Sequence, residues 1–373
     1  MEDLKFRQSL PLSEKIRFAK QAIKTFKDRY DFIYVSCSGG IDSEIVLFLT
    51  RQMYPNIPVV FALTGLEHPS VRKLAMLHDN LTIVKPQKGH LEVLTTYGYP
   101  VISKDISLYI WGARHAENPI IRQHYLNRFD GLDDDGNYSQ FRQAYKKYKF
   151  MLNAPFEVSD KCCYFHKEKP CQDWERENDA HPITGIMASE SQRRTNAWLE
   201  TGCNAFDGNR PMCKPLSTWT KKDSLQFLYE NEDIMMESLK KEAINKGYSE
   251  EWFYKEFHHP WADAYKDIVP IVSNTQLDGQ IDLFNQLNIE CDSYIDFKTT
   301  GCDRTGCIYC MYGAQCKGDM RFVTLKKQEP KLYNYVMRGG KFNENGMWVP
   351  HKGLGFKYVI DWMNEHGNLN IKY

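Results

Sequence analysis

The sequence predicts an α/β protein built on a parallel sheet with helices on both faces, and three observations carry that expectation. Short β-type runs alternate with helical ones over roughly the first 85 residues, and strand–helix–strand order implies parallel pairing through crossovers. A glycine-rich turn sits between a buried strand and an apolar helix. The chain has 373 residues, 42% hydrophobic and 26% charged, enough for a large core.

In order, Ser13 to about Lys27 reads as an amphipathic helix. Ile16, Ala19, Ile23 and Phe26 recur at helical spacing, and Ser13 is placed as its cap. Phe32–Ser36 (FIYVS) is a first strand. The apolar stretch Ile45–Tyr54 is helical, Pro58–Leu63 (PVVFAL) a second strand, Val71–His78 a helix and Leu81–Val84 a third strand. Residues 101–180 read as polar, aromatic and irregular. Within them DGLDDDGN (Asp130–Asn137) fails as a calcium loop: with Gly136 sixth, the twelfth position is Arg142 rather than Glu, so a solvated turn is expected. His181–Ile186 (HPITGI) resumes strand character. Lys214–Glu230 opens on a proline turn and becomes helical, and residues 232–290 read as mostly helical. The segment from Gly301 begins with cysteines and ends in a helix near Phe356–Asn364. The expected division is a nucleotide domain over 1–230, a mainly helical insert over 231–300, and a cysteine-rich C-terminal segment over 301–373 that packs on the first domain.

Lys plus Arg and Asp plus Glu both count 48, so no global basic bias points to nucleic acid. No apolar run approaches the ~18 residues of a membrane helix, and the first residues lack a signal peptide's apolar stretch, so a cytoplasmic location and no membrane partner are expected. Eleven clustered cysteines in such a chain point to metal or iron–sulfur ligation rather than disulfides.

The turn reads Ser36-Cys37-Ser38-Gly39-Gly40-Ile41-Asp42-Ser43. Paired glycines let backbone approach a ligand, and the helix start that follows offers free N–H groups and a favourable dipole for an anion. Ser38 and Ser43 can add hydroxyl donors. The Gly-Lys-Ser/Thr ending of a Walker A loop is absent. A purely structural turn capped by Asp42 or Ser43 is the competing reading, and Cys37 is expected to pack rather than react.

These residues resemble SGGxDS, the pyrophosphate loop (PP-loop) of the adenine nucleotide α-hydrolase superfamily, and further segments resemble its PAPS/APS reductase branch. Thr64-Gly65 resembles the DTG turn, without its Asp, and Glu67-His68-Pro69 the FPET that follows. Lys161-Cys162-Cys163-Tyr164-Phe165-His166-Lys167 resembles the tandem-cysteine stretch, Lys167 standing at its final basic position. Thr184–Arg194 resembles TGxRxxES/QxxR, with Met187 where the first Arg would be. Lys214–Thr220 resembles NPLxxWT, and Thr305-Gly306-Cys307-Ile308-Tyr309-Cys310 the late GCxxC. The likeness spans about residues 30–230 and 300–315.

The resemblance implies a Rossmann-like fold. It also implies an adenine nucleotide (ATP, or APS/PAPS) with Mg²⁺, held by Ser36, Ser38, Gly39, Gly40, Asp42, Ser43, Gly185 and Lys167. Leu63, Thr64 and Gly65 would lie at the adenosine, and Asp42, Ser43, Arg193 and Arg194 would handle the phosphates. It implies a [4Fe–4S] cluster on Cys162, Cys163, Cys307 and Cys310. A zinc site on Cys302, Cys307, Cys310 and Cys316 is the alternative, and Cys171, Cys203, Cys213 and Cys291 are expected to be buried or unpaired.

Three functions remain open. One is ATP pyrophosphatase chemistry that activates an acceptor for sulfur transfer, with a protein or small-molecule sulfur donor and an acceptor that a nucleic acid could provide. The second is sulfonucleotide reduction to sulfite, whose mobile-tail cysteine has no counterpart after Cys316. The third is a non-catalytic nucleotide-binding subunit, in a homo-oligomer or beside a partner.

Overall fold

The apolar run Ile33–Cys37 forms β1 at the middle of the sheet, in a computed structural model that describes residues 1–272, 295–302 and 305–373. Its neighbours are β2 (Val59–Ala62) and β3 (Leu81–Val84) on one side. On the other side lie β4 (His181–Ile183), then β6 (Met212–Cys213), then β5 (Asn204–Ala205) at the edge. Every pairing is parallel except β5 with β6, and Val35 stands opposite both Val59 and Ile183. The sheet is flanked by helices, so the chain is an α/β protein as its alternating runs predict. Strand order reverses between β1 and β4, and such switch points put a ligand crevice beyond the carboxyl ends of the two strands.

Contacts group the chain into two compact units. The first comprises Met1–Leu63, Glu67–Val84 and Asp173–Gly306; the second comprises Thr64–Leu66, Lys85–Gln172 and Cys307–Tyr373. The first unit holds the sheet, with a core that includes Ile23, Phe26, Val35, Val59, Leu216 and Trp219. Its first long helix, Leu12–Arg29, starts on Pro11; Ser13, expected as the cap, lies inside the first turn. Lys15 on this helix makes a buried ion pair with Asp223 at 2.7 Å. Asp223 also completes a capping box with Thr220 at the head of the helix Lys221–Asn245.

That helix runs through residue 230, so the division expected there falls inside a continuous element. Beyond it, Glu250–Glu256 is a further helix, and Ile268–Val272 and Ile295–Thr299 pair antiparallel, so the described part of the insert adds a two-stranded pair to its helices. The rest of that reading, including Cys291, lies outside the described residues.

Residues 101–172 of the stretch read as irregular belong to the second unit and carry regular helices. Ser103 caps the helix Lys104–His115, and Asn118 caps Pro119–Asp130 through Ile120 and Ile121 N–H groups. Ile106, Ile110 and Phe129 from these helices join Tyr99, Phe156, Phe322, Phe356 and Val359 in one core. The sequence conceals this because each helix buries only a few apolar residues and carries aromatics around its circumference. The Asp130–Asn137 segment is a solvated turn, with Asp133 Oδ1 accepting from the Asp135 and Asn137 N–H groups. The helix near the end spans Phe356–Gly367, one turn longer than expected. Among the described residues no helix is long and apolar enough to cross a membrane.

Candidate functional site

The glycine turn lies at the switch point of the first unit. β1 ends at Cys37, and Gly40 is the N-cap of the helix Ile41–Arg51. Gly39 has φ +69°, and a Cβ there would meet Val71 Cγ1 at 2.7 Å and Val71 O at 2.8 Å. Only glycine fits both the backbone and the space. Gly185, just past β4, presses on the same turn: a Cβ there would lie 2.8 Å from the carbonyl carbon and oxygen of Asp42 and 3.0 Å from Ser43 N.

The Ser43 hydroxyl staples the loop, donating to Gly40 O at 2.8 Å and accepting from Ser38 N–H at 3.1 Å. Ser38 Oγ lies 3.2 Å from Ser43 Oγ. Asp42 Oδ1 accepts from Ser224 Oγ at 2.8 Å, and Ser224 also lies 3.6 Å from Met187 Sδ. The buried Met187, where the resemblance would put Arg, therefore packs beside the Asp42 clamp. Removing that clamp (Asp42→Ala) forfeits a hydrogen bond to a charged group, roughly 1.5–3 kcal/mol. Nucleotide affinity, read by calorimetry, is expected to fall about tenfold or more; unchanged affinity would exclude Asp42 from binding.

Two residues at the mouth of the turn escaped the sequence reading. Tyr265 and Thr305 place their hydroxyl oxygens 2.6 Å apart, each 3.5 Å from where a Gly40 Cβ would stand. The Tyr265 oxygen accepts from the Thr305 N–H at 3.3 Å, while burial raises its own pKa. A hydroxyl can turn its proton toward an anion, so this pair adds donors to the cradle. Thr305 stands in the quoted TGCIYC motif; nothing in sequence marks Tyr265.

Behind the turn is a buried ionic chain, also unread. His78 Nε2 lies 3.0 Å from Glu44 Oε2, off the line of a hydrogen bond, and Nδ1 lies 3.4 Å from Glu242 Oε2. Arg51 pairs with Glu242 at 2.6 Å, and Cys37 Sγ donates to Glu44 Oε1 at 3.4 Å. Burial works against a charged His78, but Glu44, Cys37 and Glu242 outweigh it and hold its pKa well above the usual value. Burial likewise pushes Glu242 up, yet His78, Arg51 and the Asp79 N–H bring it down to about 2. Burial raises the Cys37 thiol, which is a packing residue of the core.

Of the other nucleotide candidates, Ser36 lies within β1 and Leu63 belongs to the first unit, whereas Thr64, Gly65 and Lys167 belong to the second. Arg193 is exposed, and Arg194 pairs with Glu190, one turn earlier.

The second unit brings four thiols together. Cys162, Cys163, Cys307 and Cys310 line one cavity with Leu66, His90, His166, Lys167, Tyr309 and Tyr312. Immediately after the tandem pair the backbone widens into a π turn, Tyr164–Glu168, a distortion common at functional sites. It carries His166, whose Nδ1 lies 2.9 Å from Cys162 O. Cys307–Cys310 is a tight turn closed by Cys310 N–H to Cys307 O, and Arg321 fixes it by donating to Cys310 O at 2.7 Å.

Burial, then neighbouring thiols, raise the Cys162 pKa well above normal; burial lifts Cys163 to about 12 and also raises Cys310. The thiolates are thus costly without a cation among them. Cys316 is exposed and outside the cavity lining, and Cys302 belongs to the first unit. Cys171 and Cys213 are buried and Cys203 is partly so.

The sequence matches no protein-family model and no curated protein. Among solved structures it is similar to phosphoadenylyl-sulfate (PAPS) reductase from Candida auris, solved as a phosphate complex. The match is 12% identical, covers 60% of this chain and 88% of that one, and has a TM-score of 0.33, a level that carries no weight for function.

Proposed function

We propose that this chain is a PP-loop enzyme that binds an adenine nucleotide by its phosphates and cleaves ATP between the α and β phosphates to activate an acceptor for sulfur transfer. The observation that supports it most is the turn Ser38–Ser43, placed at the switch point with glycine required at both close approaches. The acceptor oxygen would take the adenylyl group as pyrophosphate leaves. Donor sulfur would then replace that oxygen, AMP departing with it. The residues' work is positioning and charge stabilisation: loop amides, Ser38 and the Tyr265–Thr305 hydroxyls face the phosphates, with Mg²⁺ expected to travel with the nucleotide.

The second unit fits a [4Fe–4S] cluster on Cys162, Cys163, Cys307 and Cys310. Four thiols line one cavity, and burial penalises the Cys162, Cys163 and Cys310 thiolates until a cationic centre offsets it. Such a cluster supplies iron able to take up electrons or hold sulfur.

Anaerobically purified protein with Mg²⁺-ATP is expected to release AMP and pyrophosphate; ADP release would rule out the proposed cleavage, and sulfite from APS plus a thiol would favour the reductase. Iron and sulfide should co-purify. The Cys307→Ala/Cys310→Ala variant should lose both while retaining nucleotide binding. Stoichiometric zinc in colourless protein would replace the cluster reading.

A further inference from the structure

His90 lines the thiol cavity but belongs to none of the cysteine motifs. It is the first residue of the helix His90–Tyr97, which Gly89 caps, so the ring is placed by a helix start rather than by a loop. Its Nδ1 lies 3.7 Å from Cys162 Sγ, within reach of an N–H···S hydrogen bond. Its Nε2 is buried and has no hydrogen-bond partner among the described residues. The ring is fixed from the side as well, edge-on to Tyr309 and His166 at centroid distances of 5.4 and 5.2 Å. A half-buried, rigidly held imidazole with one nitrogen on a ligand sulfur and the other buried and unpaired is costly as a packing residue. It is useful as an outer donor to a metal–thiolate centre, where such bonds set ligand orientation and potential.

Resting on the cluster reading above, we infer that His90 is a positioning residue of that centre: its ring N–H hydrogen-bonds Cys162 Sγ and makes the cluster easier to reduce. The direction follows from charge. The reduced cluster places more negative charge on its sulfurs, so a donor to sulfur stabilises the reduced form more than the oxidised one. His166 differs, because its Nδ1 is already engaged by the Cys162 carbonyl.

The experiment is an EPR-monitored redox titration of the anaerobic full chain with its native cluster, in wild type, His90→Leu and His90→Asn. Leucine removes the donor; asparagine restores an N–H near the Nδ1 position. The expected result is a midpoint shift to more negative potential in His90→Leu, largely recovered in His90→Asn, with iron content unchanged. A His90→Leu midpoint equal to wild type at full iron loading overturns the inference while leaving the cluster reading intact. Wild-type protein without iron overturns both. Should His90→Leu not fold, pulsed EPR of wild type labelled with ¹⁵N-histidine decides: a weakly coupled histidine nitrogen that His90→Asn abolishes is the expected result, and its absence overturns the inference.

Discussion

Replacing His78 with leucine is expected to destabilise the first unit by about 3–5 kcal/mol, the usual cost of removing one partner from a buried ionic set. Glu44 is 4% exposed in the first turn of the phosphate-loop helix, and without His78 it has no nearby cation in the chain just described. The pH dependence carries a second signature. His78 has a raised folded-state pKa, so its stabilisation is full below the unfolded value of about 6.5 and is lost as pH rises toward the folded value. Glu242 behaves oppositely: held at about 2, it stabilises fully above its ordinary range near 4.5 and loses that contribution as pH falls toward 2. Wild type should therefore be most stable between about pH 4.5 and 6.5 with respect to these two groups. In His78→Leu the alkaline decline should flatten. Hydrogen exchange of the β1 and β2 amides reads this for the first unit alone, avoiding a two-state assumption for the whole chain. An alkaline limb that persists unchanged in the variant would refute the assignment.

The sheet was legible because its strands are short, rich in β-branched residues and separated by helical runs, so Leu81–Val84 has the same bounds in sequence and structure. The loop was legible because its chemistry is local: six consecutive residues build it. What was hidden depends on distant chain segments meeting. His78 gives no signal beside Glu242, 164 residues on, and Tyr265 reaches Gly40 only through the fold. His90 stands 72 residues from Cys162, at a helix start that carries no motif. The grouping of 85–172 with 307–373 was hidden for the same reason. The former interrupts the sheet between β3 and β4 and finds its core in the latter, a non-local pairing that periodicity cannot reveal.

The two glycines of the loop should fail in different ways when changed to alanine, and the difference tests whether the turn is a binding device or a structural bend. At Gly39 the left-handed backbone costs roughly 1–2 kcal/mol for any residue with a Cβ. The clash with Val71 adds roughly 1–3 kcal/mol of overpacking, because the carbonyl at 2.8 Å is backbone and cannot rotate away. Gly39→Ala should therefore lose both stability and nucleotide binding. Gly40 has φ −85°, which alanine adopts freely, and its nearest neighbours are the Ser38, Thr305 and Tyr265 hydroxyl oxygens at 3.3–3.5 Å. Gly40→Ala should fold with stability close to wild type, since only the Ser38 hydroxyl must yield. Its methyl, however, stands among the hydroxyls at the mouth, where a phosphate oxygen would have to sit. Affinity for Mg²⁺-ATP is expected to fall at least tenfold, about 1.4 kcal/mol, with little change in melting temperature. If Gly40→Ala binds nucleotide as wild type does, the anion does not enter over Gly40, and the turn is a bend that the sheet requires rather than a cradle for phosphate.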